Sequence, residues 1–206
     1  MASNTIAALP QPRRLRPNTP NRKTPLRRRN AEYRSREYLT EQEVEQLMNA
    51  AAQVGRHGHR DSTLILLSYR HGLRVTELVG MRWEQIDLKT GLMHVNRLKQ
   101  GNPSVHPLGG PELRALRRLQ RDYAVLPHVF SSERNAPLSS DAIRKIIGRA
   151  GEGAKLPFPV HPHMLRHACG YKLAQAGQDT RAIQHYLGHK NIHYVPFRTM
   201  SSSFSH

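Results

Sequence analysis

The chain has 206 residues and a formal net charge of +17, with 32 Lys or Arg against 15 Asp or Glu. This length allows one compact domain plus an extension, and so basic a balance argues against a general enzyme and favours a polyanionic partner such as nucleic acid. The alternative explanation of the charge is a basic surface that is merely solvated and binds no polyanion. The one cysteine excludes an internal disulfide, and no apolar run reaches membrane-spanning length. We therefore expect a protein that stays inside its cell, without a membrane segment.

Residues 1–38 are predicted to be a disordered basic arm. Up to Glu37 they hold ten Lys or Arg against two Glu, are rich in Pro and Asn, and show no apolar periodicity. Such a segment cannot bury enough surface to fold alone. We expect it to follow nucleic-acid phosphates with strongly salt-dependent binding, and Arg27, Arg28 and Arg29 are candidates for these contacts. A solubilising extension is the alternative for its first dozen residues.

The folded part is predicted to begin at Leu39 and to continue to His193. Thr40 and Glu43 have the spacing of a capping box, which predicts that a helix starts here. Apolar residues follow at helical intervals, and we expect them to face the core: Val44, Leu47, Met48 and Ala51.

A second helix is predicted to lie inside the molecule. Residues 55–60 are predicted to be a loop, and residues 63–69 are apolar on nearly every side, which is typical of a buried helix. Gly72 is predicted to end this helix. Arg74 then lies in the turn before another helix, which Thr76 is predicted to cap.

Between residues 83 and 108 the apolar pattern changes to that of strands. Two turns, Lys-Thr-Gly and Gln-Gly-Asn, divide it into three short stretches, which predicts a small antiparallel meander. Lys99 lies at the second turn, where a lysine standing alone is usually only solvated. Two helices are predicted to follow, the first with Pro111 in its first turn and the second capped by Ser139 or Ser140. Ile143, Ile146 and Ile147 should face inward.

The helix predicted from about His163 has two unlike faces. Its polar face carries His163, Arg166 and His167, with Gly170 among them. Because a glycine lets another group approach the backbone closely, this face resembles a socket for a phosphate. The opposite, apolar face is predicted to be buried: Met164, Leu165, Ala168, Cys169 and Ala176.

This helix is predicted to be followed closely by another. Gly177 should end the first, Asp179 or Thr180 should cap the second, and Gly188 should end it just before His189. The pair of helices therefore carries His163, Arg166 and His189.

Five side chains together suit phosphoryl transfer without a metal. Two guanidiniums can hold the non-bridging oxygens of a phosphate and stabilise the added charge of a pentacoordinate transition state. A histidine can move a proton, and a lysine can protonate the leaving alkoxide. The candidates are Arg74, Lys99, His163, Arg166 and His189.

A zinc site is the alternative interpretation of the histidines. His163 and His167 have the i, i+4 spacing of helical ligands, and His161 is close in sequence. No Asp or Glu lies nearby to complete the set, Arg166 would repel a cation, and Cys169 lies on the other face. We therefore expect neither a metal nor another cofactor.

Four ordered motifs resemble those of the tyrosine recombinases, the phage integrase family. They are HGLRVTEL, RLKQG, HPHMLRH and LGHKNI, and the resemblance spans residues 39–192. The motifs are most similar to those of the short fimbrial phase-variation invertases, which also lack a separate arm-binding domain. It implies a mainly α-helical catalytic domain with a small antiparallel β-sheet, an α+β fold.

The resemblance also implies roles for individual residues. Arg74 and Arg166 would clamp the phosphate, Lys99 would be the general acid, His163 the acid/base histidine, and His189 a hydrogen-bonding partner of the phosphate. Glu77 and His167 would support them. The family cleaves double-stranded DNA with a tyrosine, forms a 3′-phosphotyrosine, and rejoins strands as a tetramer on two sites, without metal or ATP.

The end of the chain departs from the family pattern. The family's nucleophilic tyrosine lies nine residues after the histidine of LGH, and Arg198 stands there. Tyr194 is the candidate nucleophile, although in a helix it would lie one turn early, roughly 6 Å along the axis. Pro196 disfavours a helix there. Residues 194–206 resemble foreign sequence, as a truncation or frameshift would produce.

We predict a site-specific recombinase that acts at inverted repeats in the cytoplasm of a bacterium, on its nucleoid. Three cases remain open for the nucleophile: Tyr194 attacks, a related recombinase donates a tyrosine, or the chain binds DNA as a regulator and cannot cut it. A basic DNA- or RNA-binding housekeeping protein is a weaker hypothesis, since it would not need the ordered Arg, Lys and His set.

Overall fold

The computed structural model describes residues 37–96, 103–123 and 126–188. These residues form a mainly helical fold with one three-stranded antiparallel sheet, which confirms the predicted fold class. None of the helices in these ranges is both long and apolar enough to cross a membrane. The helices are α1 (Glu41–Gln53), α2 (Gly58–His71), α3 (Val75–Val79), α4 (Gly110–Tyr123), α5 (Ser140–Gly153), α6 (Pro162–Gln175) and α7 (Thr180–Leu187). The strands are β1 (Ile86–Asp87), β2 (Leu92–Val95) and β3 (Ser104–Pro107), with a 3-10 turn at Trp83–Gln85 before them.

Helix α1 begins with the predicted capping box. The Glu43 backbone N–H donates to Thr40 Oγ1 at 3.3 Å, and the Thr40 N–H donates to Glu43 Oε2 at 2.9 Å. These bonds satisfy N–H groups that have no partner inside the helix. The apolar face is buried as predicted at Val44, Leu47 and Ala51, and Met48 is partly buried.

Helix α2 is the central helix, packed against α1, α4 and α6. Its apolar residues are buried on all sides, as predicted. The predicted loop at 55–60 is wrong at its end, because α2 already begins at Gly58. Arg60 and Asp61 are buried in its first turn, where the guanidinium donates to the carboxylate at 2.9 Å and to the Ser131 carbonyl at 2.8 Å. Mutual pairing is what allows two charged residues to be buried there.

The sheet is the predicted meander, in the order β1-β2-β3. Its register pairs Met93 with Ile86 on one side and with His106 on the other. Met93 and Val95 are buried while Leu92 and His94 are exposed, as the two-residue period of a strand requires. His106 has no exposed surface and lies on the core side of β3.

The turn between α2 and α3 differs from its prediction in one respect. Thr76 does not cap α3, because Arg74 is the N-cap residue and the Glu77 carboxylate accepts its backbone N–H at 2.8 Å. Helix α5 begins as predicted, with Ser139 Oγ accepting the Ala142 N–H at 3.1 Å. Ile143, Ile146 and Ile147 face the core.

Helices α6 and α7 form the predicted pair. Four of the five residues of the apolar face of α6 are buried, but Ala176 is exposed because the helix ends at Gln175. Asp179 caps α7 by accepting the Arg181 N–H at 2.9 Å. Gly188 ends α7 in the left-handed region, with φ of 66°. Helix α7 contributes Ile183 and Leu187 to a small apolar cluster on Cys169, separate from the main core.

Candidate active site

Arg74 is held at the start of α3 by a buried carboxylate. Its Nη1 lies 3.1 Å from Glu77 Oε1, and the other oxygen of Glu77 accepts the Arg74 backbone N–H. The Glu77 side chain is 2% exposed and that of Arg74 is 33% exposed. The carboxylate therefore fixes the base of Arg74 and leaves part of its guanidinium open to a ligand.

Arg166 is buried at the junction of two helix ends. Its Nη1 donates to the carbonyl of Gly72, which follows α2, and its Nη2 donates to the carbonyl of Leu187, the last residue of α7. Carbonyls at a helix C-terminus carry partial negative charge, which stabilises a cation placed there. Arg166 thus lies on the same side of α6 as His163 and His167, as predicted, but this part of the face is covered, and only 7% of the residue is exposed.

The two arginines meet at the end of α7. Arg74 Nη2 donates to the Gly188 carbonyl at 3.3 Å, and Arg166 binds the carbonyl of the preceding residue, Leu187. Consecutive Cα atoms are about 3.8 Å apart. Two positive charges from elements far apart in sequence are therefore oriented by neighbouring peptide groups.

Gly170 does not open a socket for a ligand. It is buried, and a Cβ added to it would lie 3.4 Å from Leu187 Cδ1. The close approach that the sequence predicted is made by α7 itself. Gly170 therefore lies in the contact between α6 and α7, where an added Cβ would be at ordinary van der Waals distance from Leu187.

His163 and His167 are exposed on the surface of α6, as predicted. His163 precedes Arg166 by three residues, so the two share one side of the helix. The His163 ring packs edge-on against the ring of His161, with 6.3 Å between centroids. An exposed imidazole beside a buried guanidinium can exchange protons with a ligand that reaches this side of α6.

The pKa of His167 is held below its ordinary value. The main cause is partial desolvation of the imidazole by neighbouring protein atoms, although the residue as a whole is exposed; the charges of His163 and Arg166 act in the same direction against an opposing effect of Glu37. A neutral imidazole is therefore the favoured form of His167 next to Arg166.

We expect His167 to lower the stability of the fold in acid. As pH falls below 6.5, the ordinary pKa of histidine, the unfolded chain takes up a proton more readily than the folded one, so the free energy of unfolding decreases. His167→Gln should weaken this decrease. Urea unfolding between pH 7.5 and 5 measures it, with NMR titration of the His167 ring as a direct check. A ring pKa at or above 6.5 would contradict the assignment.

Several predicted site residues lie outside the described residues: Lys99, His189, Tyr194, Arg27, Arg28 and Arg29. Within residues 37–96, 103–123 and 126–188, the structure brings together Arg74, Glu77 and Arg166. No group of three or more metal-ligating side chains occurs in these ranges.

A group of rings next to the carbonyls that bind the arginines was not predicted from the sequence; His71 and His106 are buried in it and Tyr186 is partly buried. The Tyr186 hydroxyl donates to the Arg70 carbonyl at 3.2 Å and accepts from His71 Nδ1 at 3.1 Å. The His106 ring packs at a tilt on the Tyr186 ring with 4.0 Å between centroids, and its Nε2 is 2.9 Å from Ser104 Oγ. One sequence signal could have indicated part of this group: the two-residue period of a strand places Ser104 and His106 on the same face.

Comparison with known proteins agrees with this geometry. The sequence model of the phage integrase family matches residues 37–199. The type 1 fimbriae regulatory protein FimE of Escherichia coli K12 is 43% identical over 174 residues, which are 82% of this chain and 87% of FimE.

Solved structures resemble the fold. The XerA recombinase matches with a TM-score of 0.68 and 25% identity over 75% of this chain and 56% of its own. A lambda integrase dimer bound to a COC′ core site matches with a TM-score of 0.63 and 25% identity over 75% of this chain and 45% of its own. This chain thus spans about half the length of these two proteins. By the family match and the FimE identity, the chain belongs to the phage integrase family, the tyrosine recombinases.

Proposed function

We propose that this chain is a site-specific DNA recombinase that cleaves and rejoins strands at inverted repeats through a covalent 3′-phosphotyrosine. One observation carries the proposal: Arg74 and Arg166 bind the carbonyls of Gly188 and Leu187, so two guanidiniums are held at consecutive peptide groups. Negative charge on a phosphate increases in the transition state of nucleophilic displacement at phosphorus. Cations that are already in place stabilise this charge. Membership of the tyrosine recombinases supports the same reaction.

The arginine pair would bind the scissile phosphate of DNA. A guanidinium presents N–H groups in a planar fork that matches two phosphate oxygens. Arg74 is the more exposed of the two and offers the side from which the phosphate approaches. Glu77 holds Arg74 in place, so little reorganisation accompanies binding.

Proton transfers complete the reaction. A tyrosine oxygen attacks phosphorus while His163 takes the hydroxyl proton, the bond to the 5′ oxygen breaks, and Lys99 protonates that oxygen. The products are a 3′-phosphotyrosine and a free 5′ hydroxyl. Attack by the 5′ hydroxyl of another strand reverses the step and releases the tyrosine. His189 would donate a hydrogen bond to the phosphate, and His167 would support Arg166.

Double-stranded DNA is the proposed partner, bound by a tetramer on two sites. The net charge of +17 favours it, and so does the likeness to a lambda integrase dimer bound to a core site. Residues Arg27, Arg28 and Arg29 of the basic arm would contact phosphates. With this substrate, the protein would act at the bacterial nucleoid. Exposed arginines on α4 offer further phosphate contacts: Arg114, Arg117, Arg118 and Arg121.

The source of the tyrosine separates this function from a second candidate. Nine residues after His189 stands Arg198, and Tyr194 is five residues after it. Either Tyr194 attacks, or a related recombinase in the same tetramer donates the nucleophile. The missing tyrosine favours the second candidate, a DNA-binding regulator of the same family that does not cut.

We expect the chain to form a covalent adduct with DNA that Tyr194→Phe abolishes. A site carrying a nick traps the cleaved state, because the short fragment with the 5′ hydroxyl diffuses away. The adduct is measured as a slower band on a denaturing gel. Tyr123→Phe is the matched control, because Tyr123 ends α4 and its hydroxyl contacts the His57 ring. It should leave the adduct unchanged.

Other outcomes of this assay select between the cases. An adduct that survives Tyr194→Phe only when a related recombinase is added means that the nucleophile comes from the partner. Specific DNA binding with no adduct under either condition contradicts cleavage and supports the regulator.

A further inference from the structure

We propose that Tyr186, His71 and His106 are positioning residues for the arginine pair. Their contacts fix the C-terminal turn of α7 against the C-terminal end of α2, and thereby fix the carbonyls to which Arg166 and Arg74 bind. This inference rests on the proposed function, since it concerns how the phosphate-binding guanidiniums are oriented.

The Tyr186–His71 hydrogen bond is made by neighbours of both acceptors of Arg166. His71 directly precedes Gly72, and Tyr186 directly precedes Leu187. The bond from His71 Nδ1 to the Tyr186 hydroxyl, 3.1 Å long, therefore ties together the two peptide segments whose carbonyls bind the guanidinium. The Tyr186 hydroxyl also donates to the Arg70 carbonyl, so α7 is bound to α2 at two consecutive residues.

Apolar packing alone would leave the position of α7 less defined. The helix contributes Ile183 and Leu187 to a small cluster around Cys169, separate from the main core. Such contacts are not directional, so they tolerate sliding and rotation. Hydrogen bonds depend on distance and angle. The two bonds of Tyr186 therefore add a directional constraint between α7 and α2 that does not depend on Arg166 itself.

His106 extends this constraint to the sheet. Its ring packs on the Tyr186 ring at a tilt, with 4.0 Å between centroids and an interplanar angle of 32°, and its centroid lies 5.4 Å from that of the His71 ring. Ser104 Oγ binds His106 Nε2 at 2.9 Å, which orients the imidazole on β3. The same group of rings therefore joins β3 to the peptide segments whose carbonyls bind the arginine pair.

Tyr186→Phe in the full chain tests the inference, because it removes one hydroxyl and keeps the ring. We expect the rate of strand cleavage at saturating nicked DNA to fall about 10- to 100-fold, the effect of a small misplacement in an active site. The dissociation constant for DNA should stay within about twofold, since many other phosphate contacts remain. The ¹⁵N guanidinium signals of Arg166, assigned with Arg166→Lys, should shift and average as its rotation becomes faster.

Tyr123→Phe is the matched control. It removes another tyrosine hydroxyl that contacts a histidine, at His57, the N-cap residue of α2. His57 and His71 are 14 residues apart on the same helix, a separation of about 20 Å. We expect this variant to keep the cleavage rate and the Arg166 signals of the wild type.

The inference is overturned if the Arg166 signals of Tyr186→Phe are the same as those of Tyr123→Phe. It is also overturned if Tyr186→Phe weakens DNA binding as much as cleavage, because that would indicate general disruption. If the wild type forms no adduct at all, the proposed cleavage fails, and the Arg166 signals still decide whether Tyr186 positions the guanidinium.

Discussion

Arg166→Ala is expected to reduce strand cleavage roughly 10³-fold, the upper range for removing a donor that stabilises transition-state charge. The affinity for DNA should change by less than about threefold, because binding is distributed over many phosphate contacts in a chain of net charge +17. Single-turnover cleavage of nicked DNA and a gel-shift titration measure the two effects. A loss of binding as large as the loss of cleavage would mean that Arg166 has a general binding role instead.

Arg60 provides the control for stability. Like Arg166 it is a buried arginine whose guanidinium donates to a backbone carbonyl, that of Ser131. Lysine at either position keeps the charge but cannot bind two acceptors as a fork. We expect Arg60→Lys and Arg166→Lys to lower the free energy of unfolding by similar amounts, and only Arg166→Lys to lose cleavage. Equal losses of cleavage in both would indicate that destabilisation is the cause.

Much of the fold follows from signals within a few residues of each other. The capping box of Thr40 and Glu43, the apolar residues 63–69 and the turns of the meander each determine a local structure that the structure confirms. The residues that the resemblance assigned to the phosphate clamp could also be identified from sequence. Arg74 and Arg166 do come together.

The environment of Arg166 could not be predicted from sequence. A helical projection places this residue on the polar side of α6, and that side is usually solvated. Its acceptors belong to residues 94 and 21 positions away, Gly72 and Leu187. Only the packing of α7 on α6 and α2 makes them available. The same limit applies to Arg60, whose burial depends on a carbonyl 71 positions away.

The group formed by His71, His106 and Tyr186 illustrates the limit most clearly. Its members come from α2, β3 and α7, and each has an ordinary local explanation: a helix end, a strand residue and a helix surface. Their function as a group depends on ring distances of 4.0 to 5.4 Å that only tertiary packing sets. Sequence periodicity indicates which residues face inward, but not which of them meet.

Gly72→Ala is expected to lower the free energy of unfolding by about 3 kcal/mol, as the sum of backbone strain and overpacking. Gly72 has φ of 58°, a conformation that alanine rarely adopts, and an added Cβ would lie 2.3 Å from Leu187 Cδ2. To relieve this contact the Leu187 side chain must shift, and because it is buried in the small cluster around Cys169, we expect the end of α7 to shift with it. The Leu187 carbonyl then moves relative to Arg166, so cleavage should fall further than stability alone explains. Urea unfolding and single-turnover cleavage measure the two effects.

Gly177→Ala separates backbone strain from overpacking as causes of the expected Gly72→Ala effect. Gly177 also has a left-handed backbone, with φ of 75°, but an added Cβ would have no atom within 4 Å. This variant should therefore show only the backbone cost, about 1 kcal/mol, with cleavage close to that of the wild type. The difference between the two variants gives the effect of the Gly72–Leu187 contact. If the two glycine variants lose the same stability and the same activity, close packing of α7 against α2 does not control the position of Arg166.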